Sequence, residues 1–228
     1  MAKIDAEEIK SQLFALAASC DRGFGASNLD NEKAQNLIEK LRTINPTQKP
    51  TSNIYPSQNL ENGTYVPLEG VWKLVYTTAF DVVSLAASPL TLLQGIYQVI
   101  SRDGRSANVI DLAPRIQAAL PRFLVGQGST LRLIVGTSSY ARSETRVGLT
   151  FKSITAKPLS LFGQSVSGFL PSLNSVLPQS IIRGDGEGPG YFDVLYLDQN
   201  CLIIAQNSPG GIFVNVRSDE PLESFLLD

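Results

Sequence analysis

From Val71 onward the chain is written in steps of two. In the run Val71 to Thr78, Trp72, Leu74 and Tyr76 fall on one side, while Val71, Val75 and Thr77 fall on the other with Lys73 interrupting them. That is the period of a strand with two different faces. Seven further runs have strand character: Ile96 to Ile100, Ser106 to Leu112, Thr130 to Val135, Thr145 to Ile154, Tyr191 to Tyr196, Leu202 to Gln206 and Ile212 to Arg217. Asp103-Gly104, Asp198-Gln199-Asn200 and Ser208-Pro209-Gly210-Gly211 supply turns between neighbours. No regular crossover helices separate these runs, so the prediction is a meander of seven or eight antiparallel strands. Closing the meander into a barrel removes its edges and leaves an interior for a small apolar ligand. Alternation alone does not separate that barrel from a strongly curled open sheet.

Two helices are predicted ahead of the strands. The first runs from about Ala6 to Ser19, capped by Asp5 with Glu8 completing a capping box; Ile9, Leu13, Leu16, Ala17 and Cys20 form its apolar stripe. Arg22, Gly23 and Gly25 stop it. The second runs from about Asn31 to Thr43 behind Asp30, with Ala34, Leu37, Ile38 and Leu41 as its stripe and Asn45-Pro46 as its end. Short amphipathic helices do not bury their stripes alone, so both are expected to dock on the main body. The 228 residues then divide into a helical region (1–45), a linker rich in Pro, Ser, Thr and Asn (46–69), the β domain (70–217) and a C-terminal tail (218–228). A chain of this length buries roughly 70% of its extended surface, enough for a core without disulfides.

Composition narrows the chemistry. Histidine is absent, which removes the commonest general base, the Ser-His-Asp and Cys-His arrangements, and every His-based metal site. Cys20 and Cys201 show no metal spacing and are too few for a disulfide framework. No catalytic residue, metal or required cofactor is expected. The start, MAKIDAEEIK, is acidic by its fifth residue, so a secretory signal is not expected and a transit peptide is absent or removed. The glycines at 184, 186, 188 and 190 precede a strand instead of following one, which reads as a flexible turn and not a dinucleotide loop. Asp193 and Asp198 lie on opposite faces unless a bulge intervenes, and Asp198 is placed to accept backbone hydrogen bonds in its turn.

Charge is scarce and unevenly spread. Only 18% of residues are charged, below the usual quarter. Residues 99–157 carry nine basic and three acidic side chains, whereas 183–228 carry two basic and eight acidic. Arg102, Arg105, Arg115, Arg122 and Arg142 are candidates for contact with lipid headgroups; alternatively, the sheet scatters them and pairs them with acids. Without interleaved aromatics they do not form a nucleic-acid surface. Two tracts, Val82 to Ser101 and Pro158 to Ile182, have no charge at all. Their Ser, Gln and Pro content excludes a spanning helix. The second has an apolar stripe that includes Phe162, Val166, Phe169 and Leu173, and it is read as a helical or irregular lid at about 158–182, broken near Pro171. Such a lid closes an apolar cavity whose wall includes Trp72, Leu74 or Tyr76, or rests on lipid; the plainer reading is ordinary helices covering a sheet face.

The ordered blocks match a known pattern. Asn45-Pro46-Thr47 follows the helices; Gly70, Trp72, Leu74, Tyr76 and Thr77 form a Gly-x-Trp-x-Leu-x-Tyr-Thr block; Gln98-Val99-Ile100 and Asn108-Val109 follow. Tyr196-Leu197-Asp198, Leu202 and then Gly210 or Gly211 with Phe213-Val214 complete the order. In these blocks the chain resembles the plastid lipid-associated protein (PAP/fibrillin) family, and its cyanobacterial members in particular. It departs from that pattern at Ile203 and Gln206, where the family usually has two arginines. The resemblance implies a mainly β, lipocalin-like (calycin-type) antiparallel barrel with a helical N-terminus. It also implies that Arg217 packs across Trp72 near the closed end, which makes both structural residues. The implied role is non-enzymatic binding or organisation of a carotenoid, quinone or acyl lipid, peripheral to the cytoplasmic side of thylakoid membranes with a soluble pool. Two other roles stay open: a module stabilising a photosynthetic or isoprenoid-synthesis complex, and a calycin-type pigment-handling enzyme.

Overall fold

The computed structural model describes residues 5–52, 54, 68–80, 82–83, 88–119, 121, 128–166, 173–176, 190–207 and 210–225. Two helices, α1 (Ala6–Ser19) and α2 (Asn28–Thr43), precede ten strands. These are β1 (Gly70–Thr77), β2 (Thr91–Ile100), β3 (Arg105–Pro114), β4 (Thr130–Ala141), β5 (Arg146–Leu161), β6 (Gln164–Ser165), β7 (Leu173–Val176), β8 (Gly190–Leu197), β9 (Cys201–Gln206) and β10 (Gly211–Ser218). Every pairing is antiparallel, and the order β1-β2-β3-β4-β5-β8-β9-β10 returns to β1. The eight alternating runs of the sequence are thus the eight staves of a closed barrel. Closure leaves none of these eight with an unpaired edge along the whole of its length.

Within β1 the inward residues are Trp72 and Leu74, but the register against β10 slips between Leu74 and Tyr76. The slip turns Tyr76 outward, so it does not share a face with Trp72 and Leu74 as strict alternation predicts. A matching slip in β8, between Val194 and Tyr196, turns Tyr196 outward as well. Tyr76, Val214, Ile203 and Tyr196 then stand side by side across four strands. On this row lie Ile9, Leu13 and Ala17 of α1 with Ala34, Ile38 and Leu41 of α2. Burying each larger apolar side chain is worth about 1.5–3 kcal/mol, which is how two short helices become fixed. The Tyr76 hydroxyl reaches Asn31 Oδ1 at 2.7 Å.

Helix starts differ slightly from the expected ones. Asp5 caps α1 through the Glu7 amide, whereas α2 begins three residues early because Ser27, not Asp30, is its cap. Asp30 instead forms the other half of a capping box, accepting from the Ser27 amide at 3.0 Å. After α1 the chain turns through Asp21–Gly23, where Gly23 has φ 95° and any Cβ would run into the Thr77 carbonyl.

The opposite outer face is covered from the C-terminal side. Phe225 packs over Val71, Tyr97, Val99, Val109 and Ile134. Beneath it Arg132 grips Asp111 with two 2.8 Å hydrogen bonds, its guanidinium 4.3 Å from the Phe225 ring. The second charge-free tract is extended wherever it is described: it finishes β5, turns at Phe162-Gly163 and supplies β6 and β7, both paired to β5. The helical form of the lid is therefore corrected for these residues. Pro158 fits in a strand because the register with β4 slips there, pairing Leu131 with Pro158 and Thr130 with Ser160.

Candidate ligand site

The barrel is filled at one end. Trp72 is fully buried, donates from Nε1 to the Leu68 carbonyl at 3.0 Å, and is packed with Ile54, Ile100, Val147, Leu197 and Leu202. Arg217, directly opposite Trp72 in register, holds its guanidinium 4.1 Å from the ring centroid. Its Nη1 donates to Glu69 O at 2.8 Å and its Nε to Gln199 O at 2.6 Å. Gly70 lets the guanidinium pass, since a Cβ there would collide with it.

The helices and linker tie into this same end. Asn45 Oδ1 accepts from the Leu197 and Thr47 amides, both at 3.1 Å, while Thr47 Oγ1 donates to Leu197 O at 2.7 Å. Thr51 Oγ1 bonds Ser143 O at 2.6 Å. The linker is thus pinned over its described part, and two separate sequence blocks, Asn45-Pro46-Thr47 and Tyr196-Leu197-Asp198, meet. Asp198 accepts from the Asn200 and Cys201 amides, as its turn requires, and also from the Tyr196 hydroxyl at 2.7 Å. The fourth donor, Lys10 Nζ at 2.6 Å, comes from α1 and is itself buried. Burial works to raise the Asp198 pKa, but the hydrogen bonds from Lys10, Tyr196 and the Asn200 and Cys201 amides together outweigh it and hold the carboxyl below its ordinary value. Likewise burial works to lower Lys10, and its bonds to Asp198 and Glu7 hold it above. Burial pushes the Cys201 thiol up to about 12, leaving it inert.

Toward the other end the barrel is hollow. A cavity of about 410 Å³ extends to where β8 begins at Gly190 and β9 ends at Gln206. Its apolar wall comes from inward residues on several strands, among them Ile96, Ile110, Leu149, Phe192, Ile204 and Phe213. Four carboxamides, Gln98, Asn108, Gln206 and Asn215, are the hydrogen-bonding side chains of the lining apart from Tyr97. None of the lining residues among those described is charged. The volume falls in the range of about 300–1,000 Å³ that holds one small molecule. A site of this composition dissolves a neutral apolar body and orients it through a few hydrogen bonds. It offers no countercharge to a buried ion.

The residues singled out from sequence distribute as follows. Trp72 lies in the packed end, and Leu74 packs on Ala79 and Val82 beside the cavity. Tyr76 is outside, under the helices. Phe162, at φ 48°, and Leu173 are exposed, and Val166 is half-buried with its amide bonded to Leu159 O. None of these three lines the cavity, while Phe169 lies outside the described residues. Arg102 pairs with Glu69 and Arg105 with Asp103, each at 2.8 Å. Arg115 donates to the Ser88 and Thr91 carbonyls, and Arg142 sits 5.4 Å from the Tyr191 ring. Arg105 and Arg115 are exposed; Arg122 lies outside the described residues. The slip in β8 places Asp193 and Asp198 on the outer face together, with Asp193 clamped to Arg146 at 2.7 and 3.0 Å.

Sequence reasoning missed the carboxamides. Their signal was present: each is a neutral polar residue at an inward position two steps from an aliphatic or aromatic one, as in Ile96-x-Gln98 and Phe213-x-Asn215. A second feature also went unread. Phe80, Leu90, Ile116, Phe162 and Leu173 are each 68% or more exposed. The first four sit on connections that leave or enter strands at the hollow end.

A family model described as PAP_fibrillin matches residues 7–216. The chain is 30% identical over 185 residues to "Probable plastid-lipid-associated protein 10, chloroplastic" of Arabidopsis thaliana, an alignment covering 69% of this chain and 62% of that protein. It is 23% identical to "Probable plastid-lipid-associated protein 3, chloroplastic" of the same plant, covering 94% and 59%. It is 24% identical to "Plastid lipid-associated protein 3, chloroplastic" of Brassica campestris, covering 94% and 62%. The chain therefore spans about three-fifths of the length of the curated relatives it matches. No solved structure matches it.

Proposed function

The chain belongs to the PAP_fibrillin family, and from that premise we propose that it is a non-enzymatic holder of a neutral hydrophobic molecule, a carotenoid, quinone or acyl lipid, peripheral to photosynthetic membranes. The observation that carries this reading is the uncharged cavity in the hollow half of the barrel. Desolvation supplies the affinity, at about 25 cal/mol for each Å² of apolar surface removed from water. The related chains named for plastid lipids support the same class of ligand. Peripheral attachment is supported by the exposed apolar side chains at the hollow end, which face a lipid surface at lower cost than water. No described helix is long and apolar enough to cross a membrane.

Native purification followed by solvent extraction and mass analysis tests the proposal. Recovery of an apolar molecule in near-stoichiometric amount is the expected result. A protein that yields none, and that fails to take up apolar probes when offered them, overturns it; the reading as a module that stabilises a protein complex then takes its place.

A further inference from the structure

We infer that the occupant of this cavity carries a carbonyl oxygen at its buried end and is held there by the carboxamide of Gln98. The inference rests on the ligand-binding reading above and specifies the ligand's chemistry. Gln98 projects inward from β2, opposite Trp72 on one side and Asn108 on the other. It therefore stands where the packed half of the barrel gives way to the hollow half. Its Nε2 is buried and, among the described residues, has no hydrogen-bond partner.

An amide donor in that position is costly to leave unpaired. The neighbouring groups do not relieve it. The Trp72 Nε1 is a donor already committed to Leu68 O, and Asn215 Nδ2 donates to Leu202 O. What Gln98 lacks is an acceptor; its half-buried side chain borders the cavity, and a turn of the amide about χ3 presents Nε2 to the space where one enters. A carboxylate supplies acceptors but no charged residue lines the described wall to neutralise it. A pure hydrocarbon fills the volume and leaves the amide orphaned. A ketone, quinone or ester carbonyl accepts the bond and brings no donor of its own to satisfy. The apolar remainder then lies against Ile110, Phe192 and Phe213.

Calorimetric titration of the full chain with α-tetralone and with tetralin, the same bicycle with and without a carbonyl, tests this. The wild type is expected to bind the ketone at least as tightly as the hydrocarbon, because the Gln98 bond offsets the carbonyl's desolvation. Gln98→Leu and Gln98→Met should weaken the ketone alone, about tenfold, and leave the hydrocarbon the tighter binder, because the carbonyl is then buried without a partner. The infrared carbonyl band of bound tetralone should lie at lower frequency in the wild type than in either variant, a signature that a merely structural role for Gln98 does not produce. A ketone-to-hydrocarbon affinity ratio that neither substitution changes overturns the inference while leaving the cavity a binding site. Binding of neither probe overturns the underlying reading too. Should both variants fail to fold, the wild-type affinity ratio and band position still decide it.

Discussion

The Trp72 end and the Gln206 end of the barrel are made from the same eight strands and serve opposite ends. At the first, the connections are the short turns at 101–104, 142–145 and 198–200. There the interior is solid, and the outside is bolted by Asn45, Thr47 and Lys10. At the second, the connections spanning 78–90 and 115–129 are long, the interior is hollow, and Phe80, Leu90, Ile116 and Phe162 are exposed. A closed barrel does not need to be packed throughout to hold its shape. Rigidity concentrated at one end frees the other from packing constraints, and that freedom is what a binding site uses.

Substitutions at the two ends should therefore behave differently, and the largest effect belongs to the packed one. Trp72→Ala should lower unfolding free energy by about 3–5 kcal/mol in denaturant titration, through a cavity and lost burial. Lys10→Met should cost about 3 kcal/mol, the low end for a broken buried ion pair, because Asp198 keeps its Tyr196 and backbone donors. The same pair gives a pH test. Asp198 is held below its ordinary value, so its stabilising share is present above the unfolded carboxyl range and lost as pH falls through the lowered folded pKa. Lys10 is held above its ordinary value, so its share is present below 10.5 and lost as pH rises through the raised folded pKa. Stability measured against pH should thus fall less steeply at both extremes in Lys10→Met than in the wild type.

One matched pair sharpens the contrast directly. Ile100→Trp, in the packed end, should cost about 1–3 kcal/mol by overpacking. Ile110→Trp, on the cavity wall, should change stability by less than about 1 kcal/mol and block apolar probe binding, since its ring enters empty volume. Equal penalties for the two would mean that the hollow end is not hollow in solution. The smallest effect is expected at the surface: Phe162→Asp should leave stability within about 0.5 kcal/mol. Sedimentation with vesicles of neutral lipid should nonetheless show a few-fold loss of binding. Undiminished vesicle binding would break the assignment of this end to the membrane side.

The barrel strands were legible because each has a clean inward set and outward set. Alternation failed at Tyr76 and Tyr196, where a one-residue slip reverses the face and a tyrosine is at home on either side. The cap of α2 was misplaced because Ser27 and Asp30 are both good caps at adjoining turns, and only the reciprocal bonds decide. The stripe from Leu159 onward has helical spacing, yet in its described part pairing overrides it: Ser160 with β4, Gln164-Ser165 and Leu173–Val176 with β5, partners that local sequence does not reveal. The cavity was anticipated as a class of feature but not in its residues. A void is set by which side chains face one another across the barrel, and that is tertiary information.

The seam between β1 and β10 has a consequence for how the chain is made. The first strand completes its pairing only with the last, Lys10 waits for a partner 188 positions downstream, and Asn45 for one 152 positions downstream. Contacts of such separation place this protein among slow folders. On the ribosome, helix α1 and strand β1 emerge early with their apolar faces uncovered. The parts of those faces that rest on β8, β9 and β10 stay uncovered until these strands have followed, an interval in which a chaperone or a nearby lipid surface competes with the missing strands for the same residues.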